Sequence, residues 1–406
     1  MAEIKAFQAI RYSKKSITDF ICPPYDVVDS EEKERLRKLS PFNIVNIELS
    51  DPGDKNNKYK NAASLFNAWQ SEGVLVRDKE ISLYFYEQIF EVCGIEMTRK
   101  GFFATLRLDE PYSGKGSVKS HEKALARSKT DRLRLLKATK ANISPVFCLF
   151  EDEKLVITDI CRKIAKRVPS ATARDKERTF HKLWVVSDED IIKTVEEYLS
   201  DKKIFIAEGH HRYETAWDYS QEIKEKDENY SPEKEYNYVL VYLCPMEDPG
   251  ISIWPAHRVI KAPTDLESKI EKYFDVHPAK DFHRLSKKEI QPIVIFKDGR
   301  YRIFTIKKEA FLKKAMPGKS KAYRNLAVSA LHYILMPEID ASEFTYVEND
   351  KEAVSLAQKT GRIAVIVPAT PVKSLKTVSL NNEMLPQKST YFYPKLASGI
   401  VIASLA

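Results

Sequence analysis

The stretch from Lys203 to Ala216 constrains this chain more than any other. Ile204, Phe205, Ile206 and Ala207 form a short apolar run that reads as a buried strand. Glu208, one glycine, two histidines and Arg212 follow, and from Tyr213 the pattern turns helical, with Ala216, Trp217 and Tyr219 on one side. A strand that passes through a tight glycine turn into a helix leaves backbone N–H groups aimed above the strand end. Those groups and the helix dipole favour an anion. Gly209 lets the backbone approach closely, and Arg212 has a planar fork that suits a phosphate or carboxylate. Adjacent His210 and His211 cannot both face one way on regular structure, which speaks against a tight zinc site.

The rest of the chain mixes strands and helices without a strict β-α-β rhythm. Ile81–Phe90 and Ile95–Leu108 are long, aromatic and alternating, and Cys93-Gly94 between them signals a hairpin. Further strands are expected at Asn43–Leu49, Ser144–Phe150, Lys182–Val186 and Tyr236–Pro245. Another is expected at Ile251–Ile260, in the same sheet as 236–245. Helices are expected at Glu31–Leu39 with Ser30 as cap, at Tyr59–Gln70, and from His121-Glu122 to about Thr139. Near Ala262-Pro263 the texture becomes lysine-rich, with strands at Pro292–Phe296 and Tyr301–Ile306, a helix at Lys321–Leu335 and a central strand at Gly361–Pro368. This order predicts an α+β fold: a mixed-sheet core over 1–262 that carries the site, and a smaller α+β region over 263–406.

Composition narrows the function classes. With 43% hydrophobic residues in 406, the chain has enough apolar side chains for real cores. Its net charge of +8 is spread along the sequence, with no basic tail or base-stacking motif, so nucleic acid is not the expected partner. Five cysteines form no C-x-x-C pair, and no apolar run is long enough to span a membrane, so a reduced, cytoplasmic setting is expected. Gly114-Lys115-Gly116-Ser117 lacks the spacing of a P-loop and of a dinucleotide fingerprint.

Three other segments carry chemistry. Cys22-Pro23-Pro24-Tyr25-Asp26 is stiff, and Asp26 either bonds its own backbone or faces a ligand. His121-Glu122, read as a helix start, places imidazole and carboxylate for acid–base work. The tail 384–399 sets Lys388, Ser389, Thr390 and Lys395 among prolines and aromatics. It suits phosphate contact and packing equally well.

These segments together resemble the bacterial and archaeal family known as domain of unknown function 1015. The resemblance runs through Pro23-Pro24-Tyr25-Asp26, Tyr84 to Gln88, Thr98 to Gly101, His121-Glu122, Asp131-Arg132, Gly209 to Glu214, Pro255 to Arg258 and Pro386 to Thr390. Glu208 stands where that family more often has aspartate. More distantly, a strand leading into the Gly-His-His-Arg turn is similar to the nucleotide-binding element of the ParB/sulfiredoxin-like fold, which includes free-serine kinases.

That second resemblance implies a nucleotide-dependent phosphotransferase on a small hydroxy amino acid, L-serine first, with ATP or ADP as donor. In it Glu122, beside His121, takes the hydroxyl proton. Gly209, His210, His211 and Arg212 hold the phosphates, and Mg²⁺ is shared between phosphate oxygens and Glu208 or Asp26. Arg132, Arg258 and Lys388 are further contacts for a phosphate or the substrate carboxylate. Glu122 is then expected in one cleft with the Gly209 turn. A phosphoserine phosphatase and a nucleotide-binding regulatory module without catalysis are the alternatives.

Overall fold

A computed structural model of the chain describes residues 2–52, 57–123, 126–279, 285 and 288–405. The chain divides into two compact units, one made of 1–120, 124–251 and 394–406, the other of 121–123 and 252–393.

The first unit is built on a mixed nine-stranded sheet. Its centre is the hairpin Leu83–Val92 and Ile95–Arg107. Cys93 (φ 51°) and Gly94 (φ 80°) both lie in the left-handed region, which a two-residue turn matching the sheet twist requires. Aromatic pairs across the strands lock the register: the rings of Phe85 and Phe102 lie 5.6 Å apart, those of Tyr86 and Phe103 5.1 Å. Strand Tyr238–Pro245, buried throughout, pairs antiparallel with Ile95–Arg107 and parallel with Val146–Phe150. Val146–Phe150 pairs antiparallel with Ile204–Glu208, which carries the short parallel strand Val118–Lys119 on its other edge. Helices Val156–Ile164, Glu189–Ser200 and His210–Lys224 bury Ile157, Cys161, Val195, Leu199, Tyr213 and Ala216 in the same core as the sheet residues Val146, Phe150, Ile204 and Ile206.

The second unit holds a six-stranded, wholly antiparallel sheet. Its order is Phe274–Pro278, Arg300–Ile306, Ile293–Lys297, Ile363–Ile366, His257–Ile260, Thr345–Val347. Ile363–Ile366 lies in its interior, as the apolar run at 361–368 predicts.

Several expectations are corrected. Asn43–Leu49 is not a strand; it contains the short helix Val45–Glu48. Asn43 starts that turn, its side-chain oxygen accepting from Val45 N at 3.0 Å, and a short apolar run fits either element. Asp29, not Ser30, caps the helix Ser30–Leu39, accepting from Glu32 N at 2.8 Å. His121 and Glu122 do not open a helix: their backbone is bent and non-helical, and the described helix runs Ala126–Thr139. The 251–260 stretch splits at Pro255, which has no N–H for a ladder. Ser252–Trp254 pairs with Tyr391–Tyr393, and His257–Ile260 enters the second sheet rather than that of 236–245. The helix expected over 321–335 is broken into Lys321–Arg324, Ala327–Ala330 and a π-turn at Leu331–Leu335.

Candidate functional site

Strand Ile204–Glu208 buries its first four side chains and ends at Glu208, where the register against Phe147 shifts. Gly209 follows at φ 92°, a conformation that L-residues other than glycine rarely adopt, and helix His210–Lys224 begins immediately. His210, His211 and Arg212 are therefore its first turn, earlier than the helical pattern from Tyr213 suggests. Helices Lys58–Ser71 and Glu189–Ser200 are capped by the side chains of Asn57 and Asp188, whereas the N-cap of this one, Gly209, has no side chain to offer. A Cβ at position 209 would lie 3.0 Å from Arg212 Nε and Nη2, so the guanidinium folds back over the turn. Arg212 Nη1 donates to the Pro145 carbonyl, and among the described residues no carboxylate pairs with Arg212. His210 is buried and His211 half-buried.

Glu208 is ion-paired with Lys395. The segment carrying that lysine is held by two buried polar residues of the hairpin: Gln88 Nε2 donates to the Lys395 carbonyl at 3.1 Å, and Arg99 Nη2 to the Pro394 carbonyl at 2.6 Å. Lys395 thus reaches the strand end directly before the glycine turn. Its place in the tail signals a cation there, but nothing in the sequence ties it to Glu208.

Arg132 joins the same unit's polar group. Buried on helix Ala126–Thr139, it donates from Nη1 to Glu48 Oε1 at 3.1 Å and from Nε to Asp131 Oδ2 at 3.0 Å. Its guanidinium sits 4.2 Å from the centre of the Tyr25 ring. Burial raises the Tyr25 hydroxyl pKa, Asp26 adds to the rise, and Arg212 and Arg132 oppose it. Tyr25 therefore feels Asp26, Arg132 and Arg212 at once, while Asp26 itself is exposed in the turn Tyr25–Val27. Glu48 and Ser144 are the residues that sequence reasoning missed. Ser144 Oγ donates to Glu48 Oε1 at 2.9 Å, and a carboxylate inside an apolar run needs such partners when buried.

His121, Glu122, Arg258 and Lys388 belong to the second unit. His121 is buried, with Nε2 3.2 Å from Thr390 Oγ1, and its carbonyl accepts from Leu385 N at 2.7 Å. Arg258 is fully buried and donates from Nη2 to the carbonyls of Gln387 (3.3 Å) and Lys388 (3.2 Å). Burial pulls its pKa down to about 10, against the field of Tyr346 and Glu122. The candidate residues thus form two groups, one in each unit.

No cluster of three or more His, Cys, Asp or Glu side chains suited to a metal ion occurs among the described residues. Glu208 is a single carboxylate already paired with a lysine, so a Mg²⁺ here would depend mostly on phosphate oxygens brought by a nucleotide. No described helix is long and apolar enough to cross a membrane.

The chain belongs to the family described as "Protein of unknown function (DUF1015)", which it matches over residues 4–332. No curated protein matches it. Among solved structures it is similar to a variant of a free serine kinase in complex with AMP, at 9% identity over 71% of this chain and 87% of that one, with a TM-score of 0.38. A second free serine kinase variant, in complex with ADP, gives the same identity, coverage and TM-score. A conserved hypothetical protein from Pyrococcus furiosus is similar at 13% identity over 75% of this chain and 95% of that one, with a TM-score of 0.37. These likenesses are distant, and activity has to be read from this chain's own side chains.

Proposed function

We propose that this protein is a nucleotide-dependent phosphotransferase that acts on a small hydroxy amino acid, L-serine first, with ATP or ADP as donor. The observation that carries the reading is the Gly209 turn: a buried strand, a left-handed glycine as the N-cap of a helix, and an arginine with no carboxylate partner among the described residues. Such a turn receives phosphate through backbone N–H groups and the helix dipole, and Arg212 adds charge as the phosphoryl group moves. His210 and His211 stand on the same first turn. A Mg²⁺ held by the nucleotide's phosphates, with Glu208 or Asp26 as one protein ligand, would offset further negative charge.

In the transfer, a bond forms between the acceptor hydroxyl oxygen and the terminal phosphorus. The bond from that phosphorus to its bridging oxygen breaks, and the nucleotide leaves as ADP or AMP. The hydroxyl proton passes to a base, which this reading assigns to Glu122, with His121 beside it. Lys388 completes the assigned contacts, while Arg132 and Arg258 donate to Glu48, Asp131 and backbone carbonyls and hold their segments in place. Incubating the protein with Mg²⁺, ATP or ADP and a panel of hydroxy amino acids should give a phosphorylated amino acid. Glu122→Gln should abolish product and leave nucleotide binding intact. If that variant still turns over, the base is another residue. If no nucleotide is consumed with any acceptor, the phosphotransferase reading fails.

A nucleotide-binding module without catalysis is the second reading. It is favoured by one fact: the groups assigned to phosphate at the Gly209 turn belong to the first unit and the assigned base to the second. Nucleotide binding without consumption would establish it.

A further inference from the structure

Within the first unit, the helix face that carries Arg212 and Thr215 borders a cleft with about 50 Å³ of free volume. Glu48, Arg132, Asn142 and Ser144 complete its polar lining. Two features of that lining are unbalanced. Thr215 is 2% exposed, yet its Oγ1 has no hydrogen-bond partner among the described residues. Arg212, three residues earlier and so on the same helix face, has a carbonyl for a partner but no carboxylate. Glu48, 3% exposed, puts a carboxylate in the same lining, its Oε1 taking both Arg132 and Ser144. Buried polar groups are normally satisfied, so a hydroxyl left over beside a guanidinium without a carboxylate, with the Glu48 carboxylate in the same lining, points to a ligand that pairs with all three.

Size restricts the ligand. A buried water needs about 10–15 Å³ of such volume, so the cleft has room for a few water-sized groups. That suits a free amino acid as small as serine and is far too little for a nucleotide. Charge restricts it further: a ligand that answers both a guanidinium and a carboxylate carries a carboxylate and an ammonium.

We infer that this cleft seats the head of a small α-amino acid, its carboxylate against Arg212 and Thr215 Oγ1 and its ammonium against the Glu48 carboxylate. The inference rests on the phosphotransferase reading only in naming that amino acid the acceptor. Arg212 also folds over Gly209, so the seated head lies beside the turn assigned to phosphate. Arg132 is a positioning residue, because it orients Glu48 and its own charge is met by Glu48 and Asp131.

The test is equilibrium dialysis of the full chain with radiolabelled L-serine and no nucleotide. Competitors are N-acetylserine, which lacks the ammonium, and serinamide, which lacks the carboxylate. L-Serine should bind and neither competitor should displace it. Thr215→Val should weaken serine binding by about tenfold, the loss of one hydrogen bond to a charged group, without lowering the melting temperature of the free protein. Glu48→Gln keeps an oxygen for Arg132 and Ser144 but should remove the discrimination against N-acetylserine. Serine bound at unchanged affinity by both variants would overturn the inference, as would no amino acid binding at all. Serine phosphorylated with no effect of either variant would overturn the seat and leave the phosphotransferase standing. Serine binding weakened by both variants, with no phosphoryl transfer, would keep the seat and remove the phosphotransferase.

Discussion

Arg212 and Arg258 both follow a histidine, and both are candidates for holding an anion, yet the fold gives them opposite surroundings. Arg258 is fully buried in the second unit, where Nη1 donates to the Ala256 carbonyl and Nη2 to those of Gln387 and Lys388. Its guanidinium lies 5.4 Å from the centre of the Tyr346 ring. In that setting it works as a strut for the backbone at 387–388. Arg212 is half-buried at a helix start, makes one bond to a carbonyl, and borders a cleft. A guanidinium that donates to three backbone carbonyls holds the chain together, while one that donates to a single carbonyl beside open volume is placed to read a ligand. The residue type and its neighbour in sequence are shared; what the fold places against the planar fork is not.

This contrast can be broken by substitution. Arg258→Ala should give the largest loss of stability, roughly 2–4 kcal/mol, because it strands buried carbonyls and leaves a void. Denaturant unfolding measures it, and an unchanged midpoint would end the strut reading. Arg212→Lys keeps the charge and loses the fork, so stability should hold while nucleotide affinity falls by about 1–3 kcal/mol in a titration. Gly209→Ala should destabilise by about 1–2 kcal/mol through its positive φ, and it also presses on the guanidinium. Weaker phosphate binding with a melting temperature only slightly lowered would place the turn where the contrast needs it. Undiminished binding would remove Gly209 from the site.

Much of this was legible in sequence where local chemistry decides the outcome. The Cys93-Gly94 turn, the strand before Gly209 and the interior strand at 363–366 follow from periodicity and from residues that tolerate positive φ. What escaped depends on long-range pairing. No local pattern says that His257–Ile260 leaves the sheet of 238–245, since either sheet would accept so apolar a strand. Glu48 was hidden because it sits in an apolar run that reads as a strand. Its partners Arg132 and Ser144 lie 84 and 96 residues away. The same distance problem hides the tie between Lys395 and Glu208.

The smallest expected effect near neutral pH is also the one that separates the two units most directly. Burial lowers the pKa of His257 and of His332 in the second unit to about 4, from an ordinary 6.5; for His257, Asp350 opposes the shift and Arg258 adds to it. The unfolded chain takes up protons at these histidines below pH 6.5 while the folded unit refuses them. Their contribution is therefore complete above pH 6.5 and is lost as pH falls toward 4. In the first unit Asp248 carries the opposite sign. Burial raises Asp248 to about 6 from 3.8, against the N–H groups of Gly250 and Lys100, so the folded unit holds a proton that the unfolded chain releases. Its contribution to stability should grow as pH falls from 6 toward 3.8. Asp131, where burial is outweighed by Lys58 and Arg132, and Glu32, held down by Arg35, oppose that trend as pH falls further. Pulse proteolysis at neutral pH and at about pH 5, with fragments assigned by mass, should show the second unit becoming sensitive first. Earlier cleavage in the first unit would mean that the buried histidines are not the acid-labile groups.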